Sequence, residues 1–189
     1  EFNAGIVVPQ SAEIGCYEGY IHMTNEQNPN ETYQIPFAIR VTDKGIDFAA
    51  PLSPSVTNDT PFHQYMAPGT HITFKFKSPM EYFDLVVKES KTGKAVGIIG
   101  TYDGTRAEPD KEYAIYAGFR GAVYPFTGKK DKPIADYSVK LPEGEYVIEM
   151  ISTDADGKKY HYESLGIVDN TPPEVNLDIE PGVVEINDS

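Results

Sequence analysis

The sequence predicts an all-β fold in which many short strands pack into a sandwich or a barrel. Three observations support this: apolar residues do not recur at helical spacing, they alternate with polar residues instead, and turn-forming residues separate the alternating segments. Thirteen Tyr and nine Phe, with no Trp, add residues that favour strands. A chain of 189 residues can bury a core without disulfides.

Alternation places the individual strands. In residues 71–77, Ile72, Phe74 and Phe76 fall on one face, which predicts a half-buried strand. Turn-forming residues at 88–94 and at Asp154-Ala155-Asp156-Gly157-Lys158 predict two hairpins. The other predicted strands are residues 2–8, 18–24, 32–41, 82–88, 95–99, 146–152 and 160–167.

Changes in composition divide the chain into three parts. Residues 1–45 are expected to be the last strands of a truncated β-sandwich domain, which must pack on the following domain or pair with another chain because so few strands are unstable alone. Residues 46–170 are expected to form a complete sandwich, with a Pro-, Ser- and Thr-rich loop at 50–68. Residues 171–189 are expected to be a linker, stiffened by Pro172-Pro173, and the first strand of a following module.

Charge and cysteine content exclude several functions. The formal net charge of −13 repels the phosphate backbone, so neither nucleic acid nor an anionic membrane is an expected partner. No apolar run is long enough to span a bilayer. Cys16, the only cysteine, excludes an intramolecular disulfide, and its strand-like surroundings predict a buried structural thiol. The opening Glu1-Phe2-Asn3, without Met or a signal peptide, leads us to expect part of a longer secreted protein.

No catalytic or cofactor site is predicted. The His-Gly and Gly-Thr-Ser contexts of a subtilisin-type triad are absent, as are Gly-x-Ser-x-Gly and His-Glu-x-x-His. Glu143 and Glu145 are expected to be surface carboxylates, although a free-standing hydrolase would need such acids to converge in a pocket. Asp154-Ala155-Asp156-Gly157 opens like a calcium loop, but position twelve is Leu165, so a hairpin turn is favoured and calcium has no complete motif.

The segment from Tyr102 to Tyr137 is the best candidate for a binding surface. It is rich in aromatic residues and glycine and is expected to be irregular and the least core-like part of the chain. Exposed rings beside Asp and Lys suit sugars or extended peptides. The alternative, which we favour, is that these rings fill the core in place of Trp. The candidate residues are Tyr113, Tyr116, Phe119, Tyr124 and Phe126.

Several short stretches resemble a known family. Tyr17-Glu18-Gly19, after a turn of small residues, leads into Tyr33-Gln34-Ile35-Pro36-Phe37. This resembles the fibronectin type III-like accessory domains of secreted subtilisin-like serine proteases of Gram-positive bacteria, the lactocepin-type cell-envelope proteinases. Leu141-Pro142-Glu143-Gly144-Glu145-Tyr146 and Asp169-Asn170-Thr171-Pro172-Pro173 are similar to the last hairpin of such a domain and its junction to the next.

The resemblance implies an immunoglobulin/fibronectin type III-like β-sandwich that is extracellular or cell-wall-associated. Such a region is non-catalytic; it spaces or braces the catalytic domain of the parent protease and aids substrate access. The implied partners are the catalytic and neighbouring β-domains of the same parent chain, with protein substrate or cell-wall glycan as further candidates. The main alternative is an adhesin-type or carbohydrate-binding surface module, because adhesin sandwiches share the Asp-Asn-Thr-Pro-Pro junction. One departure is that Ser53-Pro54-Ser55-Val56-Thr57-Asn58-Asp59 lacks the acidic density of a calcium loop.

Overall fold

The computed structural model describes residues 5–9, 11–59 and 69–171. Within these ranges the chain forms twelve strands and no helix, which confirms the all-β prediction. The strands are β1 (Gly15–Thr24), β2 (Thr32–Val41), β3 (Ile46–Pro51), β4 (Ser55–Val56), β5 (Thr70–Phe76), β6 (Tyr82–Glu89), β7 (Ala95–Asp103), β8 (Glu112–Phe119), β9 (Ala122–Pro125), β10 (Val139–Lys140), β11 (Gly144–Thr153) and β12 (Lys159–Val168).

The strands belong to three sheets. β1 and β2 form an antiparallel hairpin that pairs with no other strand in the described part of the chain. A large sheet has the order β10-β9-β7-β6-β11-β12-β4, and a small sheet has the order β3-β5-β8. The pairing is antiparallel throughout except between β12 and β4.

The large and small sheets enclose one hydrophobic core. Alternation in β5 turns Ile72, Phe74 and Phe76 inward, as their spacing predicts. The ring centroid of Phe74 lies 4.9 Å from that of Phe83 in the opposite sheet, and Phe76 lies 5.5 Å from the same ring. The two sheets therefore meet through aromatic contacts. The largest fully buried apolar side chains are Phe76, Phe83, Phe119, Ile72, Met80, Leu85, Ile148, Met150, Val87, Val123 and Val168.

Two predictions about the first half of the chain are wrong. Residues 5–8 form no strand, although a strand was expected at 2–8; residues 1–4 lie outside the described ranges. The expected loop at 50–68 contains the end of β3 and all of β4, and residues 60–68 are not described. Ala49 and Val56 are buried, so these short strands cover the core. Pro51 is tolerated because it ends an edge strand, where its missing N–H leaves no ladder bond unmade.

The segment from Tyr102 to Tyr137 is also more regular than predicted. It contains β8 and β9, and Phe119 and Val123 are in the core. Its glycines misled the prediction because one of them serves close packing within a strand. A Cβ on Gly118 would lie 3.1 Å from Cγ1 of Ile72, so the absence of a side chain lets β8 approach β5.

The turn between β11 and β12 is organised by Asp154. Its Oδ1 accepts hydrogen bonds from the backbone N–H groups of Asp156 (3.0 Å) and Lys158 (2.9 Å), and its Oδ2 accepts one from the Tyr160 hydroxyl (3.0 Å). Gly157 adopts a φ of 77°, which the tight turn requires. The predicted hairpin is present, and the Asp154 carboxylate is occupied by the turn itself.

The β1–β2 hairpin has one apolar and one polar face. Cross-strand partners share a face, and the register pairs Tyr17 with Ile39 and Ile21 with Ile35. The remaining residues of this face are Gly15, Gly19, Met23, Tyr33, Phe37 and Val41. Cys16 pairs with Arg40 on the other face and is exposed, so the prediction of a buried thiol is wrong. Residues 172–189, and with them nearly all of the expected linker and following strand, lie outside the described ranges.

Candidate functional site

A cleft of about 260 Å³ opens between β8 and the strands β7 and β9 of the opposite sheet. It exists because, among the described residues, no strand pairs with both β8 and the facing large sheet to close the gap between them. β8 is the last strand of the small sheet, and β9 pairs with β7 only at Gly97 and Ile98. The lining residues are Ile99, Tyr102, Ile115, Tyr116, Ala117, Gly118, Arg120, Ala122, Tyr124 and Ser138.

Three tyrosines give the cleft its aromatic character. Tyr102 stacks on Phe83 with ring centroids 5.2 Å apart and an interplanar angle of 17°, so its position is fixed by the core. Burial raises the pKa of the Tyr102 hydroxyl despite the nearby Arg120 guanidinium, and the hydroxyl therefore stays protonated at neutral pH. Tyr116 is 68% exposed and Tyr124 is 42% exposed. The cleft thus combines a fixed ring with two accessible ones.

Arg120 supplies the positive charge of the cleft. Its Nε donates a hydrogen bond to the Ala117 carbonyl at 3.1 Å, which holds the guanidinium beside β8. Ala117 has a φ of 47°, a conformation uncommon for a residue with a Cβ. Arg40 and Arg106 pair with Asp110 and Asp103, whereas Arg120 makes no ion pair with a carboxylate among the described residues.

The five candidate aromatic residues do not form one surface. Tyr116 and Tyr124 line the cleft. Tyr113 stacks on Phe74 at 5.8 Å, and its hydroxyl accepts a hydrogen bond from the backbone N–H of Glu108 at 2.9 Å. Phe119 is fully buried in the core. Phe126 is 40% exposed and lies outside the cleft, where it bridges to Ile134.

Sequence reasoning missed Ile99 and Arg120. Ile99 was assigned to a strand, and nothing in its neighbourhood shows that the adjacent strand β9 stops short of it. Arg120 precedes Gly121, a residue with a φ of 64°, so an arginine next to a turn glycine was the available signal. Its lack of an acidic partner depends on contacts distant in sequence, which no local pattern reports.

A second polar cluster lies on the outer face of the large sheet. The Glu149 carboxylate is 2.7 Å from Lys88 Nζ and 2.9 Å from His161 Nδ1. Burial raises the pKa of Glu149, but the hydrogen bonds from Lys88 and His161 outweigh this effect and leave the pKa below its usual range. Lys88 also pairs with Glu163 at 2.9 Å, and the pKa of Lys88 is raised by its bonds to the two carboxylates. The cluster ionically links β6, β11 and β12.

Two other acidic residues, Glu143 and Asp110, are engaged separately. The Glu143 carboxylate accepts a hydrogen bond from the Thr171 hydroxyl at 2.8 Å. Asp110 pairs with Arg40 at 2.5 Å and joins the β1–β2 hairpin to the rest of the chain. Among the described residues, no group of three or more His, Cys, Asp or Glu side chains is placed to hold a metal ion.

Helices able to cross a membrane are likewise not found in residues 5–9, 11–59 and 69–171.

Compared with known proteins, the chain matches no protein-family model and no curated protein sequence.

Proposed function

We propose that this chain is a non-catalytic structural module of a larger extracellular or cell-wall-associated protein. Its sandwich, of the immunoglobulin/fibronectin type III-like kind, spaces neighbouring domains. The observation that carries the proposal is the β1–β2 hairpin, one face of which consists of apolar residues and glycine. Tyr33 on that face is 59% exposed. A two-stranded hairpin is at best marginally stable in water, so this face needs a partner.

The size of the hairpin favours a neighbouring module over a second free copy. Two ten-residue strands offer a face of about 300 Å², from the rise per residue and the strand spacing. A stable complex between free proteins needs about 800 Å² from each partner. A module in the same chain needs far less, because the connecting chain keeps the two surfaces at high effective concentration. The hairpin therefore suits a joint between consecutive modules.

By the resemblance of its hairpin and junction sequences, the parent is a subtilisin-like serine protease of a Gram-positive bacterium. On this proposal the partners of the chain are the catalytic domain and the adjacent β-domains of that parent. The chain itself contributes spacing and assists the access of protein substrates. The work of catalysis belongs to the parent's own catalytic domain.

Hydrogen exchange tests the proposed joint. In the isolated chain, the amides of β1 and β2 should exchange quickly, while those of β5, β6 and β11 exchange slowly because they surround the core. In the native parent protein, the hairpin amides should become as protected as the core. Equal protection of the hairpin in the isolated chain and in the parent would contradict the proposal.

Substitutions on the two faces of the hairpin sharpen the test. In the parent protein, Ile21→Ser and Ile35→Ser should remove the protection of β1 and β2, because they place hydroxyls in the buried contact. The matched controls His22→Ser and Gln34→Ser lie on the polar face of the same strands and should leave the protection unchanged. A similar loss of amide protection from substitutions on either face would contradict the proposed contact of the apolar face with a neighbouring module.

The alternative function is an adhesin-type or carbohydrate-binding module. It is favoured by the accessible rings of Tyr116 and Tyr124 beside the cleft, since aromatic faces often contact sugars. This alternative predicts that the isolated chain binds a glycan and that Tyr116→Ala weakens the binding. A spacer has no such affinity.

A further inference from the structure

One edge of β8 has no partner strand in the described part of the chain. β8 pairs with β5 on one side only, so alternate residues direct their N–H and C=O groups away from the sheet. Edge strands are usually guarded by a charge, a proline, a β-bulge or a covering loop. Ala114-Ile115-Tyr116 carries neither a charge nor a proline and precedes the irregular pairing at Ala117, so these three residues form the open part of the edge, directly beside the cleft. This edge is therefore available to an added strand.

The cleft is smaller than most small-molecule sites and suits single side chains of such a strand. Its volume of about 260 Å³ lies just below the range of about 300–1,000 Å³ that is typical of small-molecule sites. Side chains of a strand alternate between the two faces of its sheet. A strand added beside β8 would direct every second side chain towards Ile99 and Tyr102, as β8 itself directs Ile115. The cleft can receive one or two such side chains.

The charge of Arg120 selects the kind of peptide. The guanidinium has no carboxylate partner among the described residues, although the chain carries a formal net charge of −13. A guanidinium forms its strongest pairs with planar carboxylates, through charge-assisted hydrogen bonds. The Ala117 carbonyl engages only Nε, which leaves the outer nitrogens for a ligand.

We propose that the cleft binds an extended peptide that carries an acidic side chain. The peptide adds to the small sheet as a fourth strand along β8, places an apolar side chain against Ile99 and Tyr102, and pairs its carboxylate with Arg120. Main-chain hydrogen bonds supply affinity, and the carboxylate supplies selectivity. The proposal is independent of the hairpin joint, because the two surfaces lie on different strands.

Synthetic peptides test this proposal directly. The probes are acetylated and amidated hexapeptides in which Val alternates with Thr, with Glu, Gln or Lys at one central position. Binding is followed by the amide shifts of β8 in NMR spectra. We expect the Glu peptide to bind most tightly and to perturb the amides of residues 112–118. Arg120→Gln should weaken the Glu peptide about tenfold, as the loss of a charged hydrogen bond implies.

Three controls separate strand addition from other binding. Arg106→Gln removes an arginine that lies outside the cleft, so it should leave the affinity unchanged. Peptides N-methylated at alternate residues keep their side chains but cannot pair with an edge, and they should not bind. Circular dichroism checks that each variant keeps its fold.

The proposal is overturned by any of three results. These are no binding of any peptide, equal binding of the Glu peptide to the Arg120→Gln variant, or equal binding of the N-methylated peptide. An oligosaccharide of N-acetylglucosamine serves as the competing probe. If it binds in the cleft while the peptides do not, the site belongs to a sugar and the peptide proposal is wrong.

Discussion

Asn58 should be one of the most important polar residues for stability. Its Nδ2 donates hydrogen bonds to the carbonyls of Gly121 (2.7 Å) and Leu141 (2.9 Å). Its Oδ1 accepts one from Nδ2 of Asn170 at 3.0 Å, and its backbone N–H donates to Oδ1 of Asn170 at 3.0 Å. One side chain thus connects the segment after β4 with three other segments, which follow β8, β10 and β12.

The expected loss follows from these contacts. Asn58→Ala removes three side-chain hydrogen bonds, each worth about 1 kcal/mol net. Because Asn58 and Asn170 are half-buried, we expect the free energy of unfolding to fall by about 2–3 kcal/mol. For a chain of this size, that loss lowers the Tm by about 4–12 °C. Asn58→Asp should cost at least as much, because its carboxylate faces the carbonyl oxygens of Gly121 and Leu141.

Urea unfolding, followed by far-UV circular dichroism, measures the change. Asn30→Ala is the control, since Asn30 lies in the exposed loop between β1 and β2 and should change stability by less than about 0.5 kcal/mol. A double-mutant cycle with Asn170→Ala should give a coupling energy of about 1 kcal/mol. If Asn58→Ala loses less than the control, or if the two substitutions add without coupling, the reasoning is refuted.

Two further predictions concern the large sheet. Ser152 is fully buried and its hydroxyl has no hydrogen-bond partner in the described part of the chain, so Ser152→Ala should raise the free energy of unfolding by about 1 kcal/mol in urea. Because the pKa of Glu149 is lowered in the folded state, its contribution to stability is present above the ordinary carboxyl pKa of about 4.3 and is lost as the pH falls through the lower folded value. Glu149→Gln should therefore make the free energy of unfolding less dependent on pH below about 5, whereas substitution of the exposed Glu163 by Gln should alter this pH dependence little. Unfolding curves measured from pH 3 to pH 7 would check this. An unchanged loss of stability at acid pH in Glu149→Gln would contradict it.

β5 was predictable because its burial alternates strictly. In β5 every second residue is buried, from Thr70 to Phe76, so the sequence pattern and the packing have the same period. β6 and β11 were also predicted, although three consecutive residues are buried in each, because turn-forming residues bound their apolar segments. β4 was not, because two residues cannot display a period, and its pairing with β12 joins segments far apart in sequence.

The outcome at Cys16 shows how sensitive a strand is to its register. Cys16 lies one residue before Tyr17, and neighbouring residues of a strand point to opposite faces. Tyr17 therefore joins the apolar face of the hairpin, and Cys16 lies on the polar face with Arg40. The alternation was visible in the sequence, but a thiol fits either face, so composition alone misassigned it.

The alternation of side chains along β8 explains how much of the cleft could be predicted. Burial alternates from Glu112 to Tyr116, which turns outwards, but Ala117, Gly118 and Phe119 are all buried, because the strand is irregular at Ala117. Alternation therefore predicts the outward side chain of Tyr116, but it does not reach Phe119 across the irregularity. The position of Arg120 relative to Tyr102 depends on how the two sheets diverge, and no local pattern encodes that.

The net charge connects the two exposed surfaces of this chain. An apolar hairpin face and a strand edge whose central residues, 114–116, are uncharged both promote aggregation. A formal net charge of −13 opposes the approach of a second copy at a distance, because like charges repel before short-range contacts can form. A tethered neighbouring module is already held close, and a short peptide with a single carboxylate meets only part of this repulsion. The acidic surface thus discriminates against self-association while it leaves both surfaces open to the partners proposed for them.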